Sequence, residues 1–435
     1  MVFTRRADAR TSMRILVVGS GGREHALAWK LKQSPAVEQI FCASGNAGTA
    51  LLGENVAIPT GDLAGLARFA KQNRVGLTVV GPDDPLAAGI TDLFQSQGMR
   101  IFGPTKSAAR LESSKIFSKQ LMRTANIPTA AAEVFTSSEA ALSHCDTVDY
   151  PVVIKADGLA LGKGVIIAAD AAMARSTIDA MMNRARFGDA GKRVVIEQFL
   201  RGSECSIHAL VDGNAYRLLA TARDHKRAFD GDQGPNTGGM GAVSPATNWN
   251  NALQQQFDER IMQPLLRGLR EEQVEFRGLL FPGLMITTDG PRVLEFNCRF
   301  GDPETQAILP RMKSDLLELL QATIDGAIGG HQIEWDPRPA VTVVLASGGY
   351  PDKYETGKTI TGLDAAAALE NVQIFHAGTR QTGNITVTSG GRVLAVTALG
   401  TTVEAARAQA YRAVSCIAFE GCQYRRDIAE KSLAA

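Results

Sequence analysis

No CxxC pair, no HxxxH or HExxH spacing and no apolar run long enough to span a bilayer occur in this sequence. The first absence leaves six scattered cysteines (Cys42, Cys145, Cys205, Cys298, Cys416, Cys422), which read as reduced, buried thiols of a cytosolic protein. The second, with only six histidines, argues against a zinc site. The third excludes a membrane-spanning helix. An excess of one charge sign is missing too: 46 Lys and Arg stand against 45 Asp and Glu, for a net charge of +1. Such a balance gives no electrostatic reason to expect nucleic acid or an anionic membrane as a partner. Residues 1–12 carry Arg5, Arg6 and Arg10, but the apolar stretch that follows is only Ile15 to Val18, which Gly19 ends. A disordered leader is expected there, with Met13 as an alternative start; a twin-arginine export signal or an organelle transit peptide fits poorly.

What is present is an ordinary globular composition, 45% hydrophobic and 21% charged over 435 residues, enough for about three domains. From Met13 to Phe102 short apolar strands alternate with helical patterns: Arg14 to Val18, Gln39 to Ala43, Leu77 to Val80 and Arg100 to Phe102. This cadence predicts a doubly wound parallel sheet, which binds ligands at the carboxyl ends of its strands. A long helix is expected from Thr105 to Ala125, then a small mixed sheet from about 136 to 209 that could move as a lid. Ala222 to Asn250 shows little periodicity and reads as a glycine-punctuated loop, which at that length is usually functional. Strands at Leu279 to Thr287 and Arg292 to Asn297 and a helix at Ser314 to Ile328 close the middle domain. The expected boundaries are 1–12 for the leader, 13–112, 113–338 and 339–435. The expected fold class is α/β: an N-terminal doubly wound parallel-sheet domain, a central domain with a small mobile lid, and a C-terminal α+β domain.

The most informative run is Glu295-Phe296-Asn297-Cys298-Arg299-Phe300-Gly301-Asp302-Pro303-Glu304-Thr305-Gln306. Strand alternation after the Asp289-Gly290 turn puts Val293, Glu295 and Asn297 on one face, and two oxygen donors at that spacing suit a hard cation such as Mg²⁺. Arg299, just past the strand, can grip a carboxylate bidentately. Gly19-Ser-Gly-Gly-Arg-Glu24 follows a strand and opens a helix, so it suits an anion or is simply a tight turn. A dinucleotide fingerprint would need glycine at Glu24 and an acid near Ser44, so NAD is disfavoured. Lys155 to Gly164 joins two strands and places two lysines around three glycines, which favours phosphates over a hairpin with solvated lysines. Glu197 to Glu204 can offer backbone groups to an adenine edge and a carboxylate to ribose, or is an edge strand with exposed acids. Asp224 can partner an ammonium, His225 is not assigned as a base, and Thr237 to Gly241 can supply N–H groups to an oxyanion.

These residues resemble the glycinamide ribonucleotide synthetase family, ATP-grasp ligases of purine biosynthesis. The matching runs are Gly19 to Ala28, Gly45 to Thr49, Gly81 to Leu86, Ile101 to Thr105, Ile154 to Gly158, Asp224 to Arg227, Pro235 to Gly241 and Arg299 to Gln306, in family order from Met13 to about Ile428. The resemblance implies a central ATP-grasp domain that ligates glycine to 5-phosphoribosylamine through glycyl phosphate. It places Mg²⁺, or Mn²⁺, on Glu295 and Asn297. It places ATP against Lys115, Lys155, Gly158, Gly162, Lys163, Gly164, Glu197, Leu200 and Glu204. Phosphoribosylamine is implied at Gly21, Gly22, Asn46, Gly48, Pro82 and Asp84, and glycine at Arg299 and Asp224. Arg299, Asp224 and Lys155 are the implied catalytic residues. A cytoplasmic monomer acting on small molecules is expected. The leader is extra to the family pattern, and Leu161 replaces a smaller residue. A bicarbonate-activating ATP-grasp carboxylase and a non-catalytic nucleotide-sensing module are the alternative readings.

Overall fold

A computed structural model describes residues 12–159, 164–184 and 186–432. The leader up to residue 11, and Leu161, Gly162 and Lys163 of the glycine loop, lie outside the described residues. The first domain is the expected parallel sheet. Its five strands run in the order Glu54–Val56, Val37–Ser44, Met13–Gly19, Leu77–Val80, Ile101–Phe102. The chain reverses direction across the sheet at Met13–Gly19, so Gly19 and Val80 end side by side and open the crevice where such sheets bind ligands. The edge strand Glu54–Val56 was not expected, because it is largely exposed and carries no apolar run.

The long helix expected from Thr105 to Ala125 is two helices, Arg110–Ser113 and Lys115–Thr124. Ser114 breaks it with extended φ/ψ, and its Oγ accepts from Phe117 N as an N-cap. Asp157 of the neighbouring sheet stabilises the break by accepting from Ser114 Oγ and Ile116 N, both at 3.1 Å. The small sheet is antiparallel, in the order Ala132–Phe135, Val194–Gln198, Val152–Ala156, Val165–Ala168. It ends sooner than expected: Ser203–Ser206 and Ala209–Asp212 pair instead with Arg277–Thr287 in the next sheet.

Two sequence expectations change in the remainder. The stretch from Ala222 to Asn250 is not structureless. Arg223–Asp224 and Gly241–Ser244 join Ala340–Ala346, Arg392–Leu399 and Val372–His376 in one sheet, so the last domain borrows two strands from the middle of the chain. Strands of two and four residues are too short to leave a period-2 signature. In addition, Val293 does not share a face with Glu295. Pairing runs Gly283↔Glu295 and then Leu284↔Val293, so Leu294 is an extra residue in a bulge. The bulge turns Val293 into the core with Phe296 and leaves Glu295 and Asn297 on the cleft side.

The core ties the domains together. Ile15 and Val17 of the first sheet pack with Leu316, Leu317 and Leu320 of helix Leu316–Ile324 and with Phe375 of the last domain. Removing one such buried leucine side chain costs about 2–5 kcal/mol. Cys42, Cys145, Cys205 and Cys298 are buried thiols, while Cys416 and Cys422 are partly exposed. No helix among the described residues is long and apolar enough to cross a membrane.

Candidate active site

Two cavities flank the loop Arg299 to Asp302. The first is lined by Lys115, Lys119, Lys155, Glu295, Asn297 and Arg299, among others, and brings together residues from helix Lys115–Thr124, the small sheet and strand Gly290–Asn297. Lys155 is 4% exposed, and its Nζ donates to Leu294 O at 2.9 Å, a carbonyl turned out by the bulge. The same Nζ lies 3.0 Å from Glu197 Oε2, and Lys119 Nζ lies 3.2 Å from that oxygen. Glu197 thus locks two lysines into the floor. Lys119 was missed in the sequence; its one signal is its position four residues after Lys115, on the same face of the helix. Burial lowers the Lys119 pKa to about 8, with Lys155 adding to the fall and Glu197 opposing it.

Glu295 accepts no hydrogen bond from the described residues. Burial alone would raise its pKa, but Lys226, Lys115, Lys155 and Arg299 together hold it below the usual range, so it is ionised. A hard dication carried on phosphates suits this donor set: a free carboxylate beside the Asn297 amide oxygen, with Mg²⁺ characteristically taking one or two protein oxygens and completing its shell from substrate and water. No cluster of three or more His, Cys, Asp or Glu forms a metal cage among the described residues. Arg299 is not an empty fork. It lies 3.1 Å from Glu112 Oε1 and donates to Asn297 Oδ1 at 3.0 Å. Glu112, likewise missed in the sequence, also accepts from Cys298 N at 2.7 Å.

Glu204 is bound to Lys226 at 3.1 Å, and neither Glu204 nor Leu200 lines the first cavity. Lys115 Nζ donates to Gly158 O at 3.4 Å, and Gly158 and Gly164 line the cavity with Lys115. Asp224 Oδ1 is buried without a hydrogen-bond partner. Burial first, then Glu304, pushes the Asp224 pKa well above the carboxylate range. His225 is buried and neutral, with a pKa lowered to about 4 by burial and then by Arg425 and Arg223; its Nε2 accepts from Ala429 N, which makes it structural. The oxyanion expectation for Thr237 to Gly241 fails on geometry. The N–H groups of Thr237, Gly238, Gly239 and Met240 are already bonded to Lys226 O, Tyr350 Oη, Thr237 Oγ1 and His225 O.

The second cavity contains Ser20, Gly21, Asn46 and Asp302 on one side and Gly378, Thr379, Ser389 and Gly390 of the last domain on the other. Gly21 and Asn46 were expected here, but the Asn46 side chain is occupied internally. Its Nδ2 donates to Ser20 O and His376 O, both at 2.8 Å, and its Oδ1 accepts from Gly48 N. Gly48 is buried behind it and Gly22 packs on Gln306. Asp84 is exposed; its neighbour Asp83 is the one that lines the first cavity, with Pro82 as the cap before it.

Family models described as the N domain, the ATP-grasp (A) domain and the C domain of phosphoribosylglycinamide synthetase match residues 13–112, 113–305 and 340–431. The chain belongs to this family. A phosphoribosylamine–glycine ligase of Allochromatium vinosum is 52% identical over 425 residues, covering 97% of this chain and 99% of the relative. That of Pseudomonas aeruginosa is 51% identical over the same shares. Among solved structures, the phosphoribosylamine–glycine ligase of Thermotoga maritima superimposes with a TM-score of 0.80 at 35% identity, over 96% of this chain and all of that one. The biotin carboxylase domain of the Hydrogenobacter thermophilus 2-oxoglutarate carboxylase matches at a TM-score of 0.73 but 14% identity, over 95% and 92% of the two chains, a likeness of fold alone. The family's Arg299 to Gln306 run is thus the wall between the two cavities: Arg299 lines the first and Asp302 the second.

Proposed function

We infer that the chain is an ATP-dependent phosphoribosylamine–glycine ligase, which joins glycine to 5-phosphoribosylamine and releases ADP and phosphate. The observation that carries the site reading is Glu295, a carboxylate with no hydrogen bond among the described residues, facing Lys115, Lys155, Lys226 and Arg299. So many cations around one free anion suit the phosphates of ATP and a bridging divalent ion.

The chemical difficulty is that a carboxylate has only oxide as a leaving group. Attack of the glycine carboxylate on the γ-phosphorus exchanges that for phosphate, and the sugar amine then attacks the acyl carbon of glycyl phosphate. Phosphoryl transfer of this kind is mostly positioning and charge neutralisation. Mg²⁺ or Mn²⁺ held by Glu295 and Asn297 would stabilise charge on the transferred phosphoryl group by several kcal/mol. Lys155 and Lys119, fixed by Glu197, put positive charge under the phosphates. Lys115, Gly158 and Gly164 cover them, and Gly162 and Lys163 belong to the same phosphate-binding loop by sequence. The segment around Leu200 and Glu204 borders the nucleoside. Arg299 turns from Glu112 to the glycine carboxylate, and Asp224 receives the glycine ammonium. Gly21, Gly22, Asn46, Gly48, Pro82 and Asp84 form or support the phosphoribosylamine side. Lining up three substrates can supply ~7–11 kcal/mol of the barrier. The small sheet closes as a lid to keep water from the acyl phosphate. The protein acts as a cytoplasmic monomer on small molecules, without nucleic acid or membrane.

The test is isotopic. ¹⁸O placed in the glycine carboxyl should appear in the released phosphate, in a reaction that needs both glycine and phosphoribosylamine. Glycine-dependent ADP release without label transfer would defeat the acyl phosphate route.

A further inference from the structure

A third cavity lies apart from the other two and shares no lining residue with either. It is a groove of about 710 Å³ between strand Tyr216–Leu218 and the helices Asn251–Phe257 and Gln263–Glu271. The strand is the last of its sheet and pairs only with Ala209–Asp212, with Leu218 opposite Ala209 and Tyr216 opposite Val211. At the two ends of this pairing, Leu219 N donates to His208 O and Asp212 N donates to Ala215 O. Bonded pairs alternate along an antiparallel ladder, so Arg217 bonds inward to Leu210 and the backbone groups of Tyr216 and Leu218 point outward. Tyr216 O is taken by the Arg217 guanidinium at 3.0 Å. The N–H groups of Tyr216 and Leu218 and the Leu218 carbonyl have no partner among the described residues. An open row of this kind is a template for another strand.

Charges placed on an edge strand usually keep other strands away. The charges here stand elsewhere. Arg217 is turned aside, its Nε donating to His331 O at 2.7 Å and another nitrogen donating to Gly329 O. Arg267 and Arg270 stand across the groove on helix Gln263–Glu271, exposed and without an ion pair among the described residues. Asp258, the one carboxylate among the described lining residues, is occupied by Tyr216 Oη at 2.7 Å. Leu218 and Leu266 add an apolar floor. The groove thus offers backbone donors on one wall, two unpaired guanidiniums on the other, and apolar surface between.

We propose that this groove docks an extended acidic segment of a partner protein, which adds as a strand along Tyr216–Leu218 and lays two carboxylates on Arg267 and Arg270. The spacing fits. Like-facing side chains repeat every ~6.4–6.8 Å along a strand, and helix residues three apart stand ~5–6 Å from each other, so acids two positions apart reach both arginines. In strand addition the main chain supplies affinity and the alternate side chains select the partner. A second copy of this chain is a poor occupant. Pairing Tyr216–Leu218 with itself about a two-fold axis would bring the arginines of both helices together. This contact lies outside the ligation chemistry and does not depend on it.

The experiment uses the full chain and a fluorescein-labelled pentapeptide, Thr-Glu-Val-Glu-Val, followed by fluorescence anisotropy and by amide hydrogen exchange. The wild type should bind it, more weakly as salt is raised, and the amides of Tyr216 and Leu218 should exchange more slowly in the complex. In a double variant with Arg267→Glu and Arg270→Glu, both at exposed positions, affinity should fall about tenfold or more. Melting temperature and ATP affinity, the controls for folding, should stay as in the wild type. A peptide with lysine in place of both glutamates should prefer the double variant. No binding of the glutamate peptide to the wild type, or equal affinity in the double variant, would overturn the docking site. Binding without slower exchange at Tyr216 and Leu218 would overturn strand addition. Slow exchange of those two amides in a peptide-free dimer, sized by light scattering, would give the groove to a second copy instead.

Discussion

Arg299 lies 3.1 Å from the carboxylate of Glu112, which comes from a helix almost two hundred positions earlier in the chain. The same guanidinium donates to Asn297, the amide at the proposed metal position. One arginine thus links the proposed metal ligand, an internal carboxylate and the proposed glycine site. In that proposal Glu112 holds the fork ready, and a substrate carboxylate would replace an interaction already made.

Substituting Arg299→Lys keeps the charge but loses the fork. The glycine KM should rise about tenfold or more, since a charge-assisted hydrogen bond is worth roughly 1.5–3 kcal/mol, and the ATP KM should change far less. Glu112→Gln should shift the same constant in the same direction by misplacing Arg299. Steady-state kinetics with each substrate varied in turn checks both. Equal rises in the two KM values would remove the clamp.

Glu295→Gln preserves shape and removes a carboxylate that faces Lys115, Lys155, Lys226 and Arg299 together. The Mg²⁺ concentration for half-maximal activity should rise and turnover should fall by about 10²-fold or more, the scale of losing several kcal/mol of charge stabilisation. Unchanged Mg²⁺-dependence would place the metal elsewhere.

Much of this site was legible in the sequence, because strand-end glycine loops and a dense polar run leave local marks. Glu295, Asn297 and the lysines at 115 and 155, singled out from the sequence, line one cavity together. What was hidden is non-local. The Arg299–Glu112 and Lys119–Glu197 pairs join segments whose closeness no spacing rule reports. The Leu294 bulge breaks the alternation that put Val293 beside Glu295, and its cause is pairing with a strand elsewhere. The break at Ser114 interrupts an otherwise good helical pattern because Asp157 bonds to it from the small sheet. The two strands given to the last domain are too short for any pattern at all.

Lys119 gives a pH test. Its pKa of about 8, low for a lysine because of burial, means that it loses charge within the assay range, and Glu197 then loses one of its two cations. The ATP KM should rise above about pH 8 as Lys119 neutralises, and in Lys119→Arg that rise should move to more alkaline pH, since arginine stays charged. A KM profile with the same alkaline limb in both proteins would show that Lys119 does not support the nucleotide site.

His225 gives a second test, with the opposite sign. Its folded pKa of about 4 lies below the ordinary 6.5, so between those values the unfolded chain binds more protons than the folded one. Stability is therefore complete above about pH 6.5 and declines as pH falls toward 4, by up to ~1.4 kcal/mol per pH unit for this group. His225→Gln keeps an acceptor for Ala429 N and cannot protonate. Urea unfolding at about pH 7.5 and 5.5 should show a loss of stability smaller in the variant by ~1.4 kcal/mol. Identical losses would mean that His225 is accessible to protons in the folded state.

Gly239 tests the contact between the borrowed strands and the Arg299–Gln306 run. Its φ of 114° is a conformation that favours glycine. An added Cβ would stand 2.4 Å from Pro303 Cδ and 2.6 Å from Asp224 Oδ1, so a side chain there collides at once with the Arg299–Gln306 run and with Asp224 of the proposed glycine site. Neither neighbour is free to move. Pro303 follows Asp302, whose carbonyl accepts from Arg392, and Asp224 is paired in a strand with Ala242. Gly239→Ala should therefore lower thermal stability by about 1–3 kcal/mol and raise the glycine KM in the fraction that folds. Gly231→Ala is the control: it also has positive φ, at 70°, but a Cβ there meets only Gln233 at 3.9 Å. It should show the backbone cost without the rise in glycine KM. Equal kinetic effects in the two variants would show that strain, and not the collision at Asp224 and Pro303, sets the outcome.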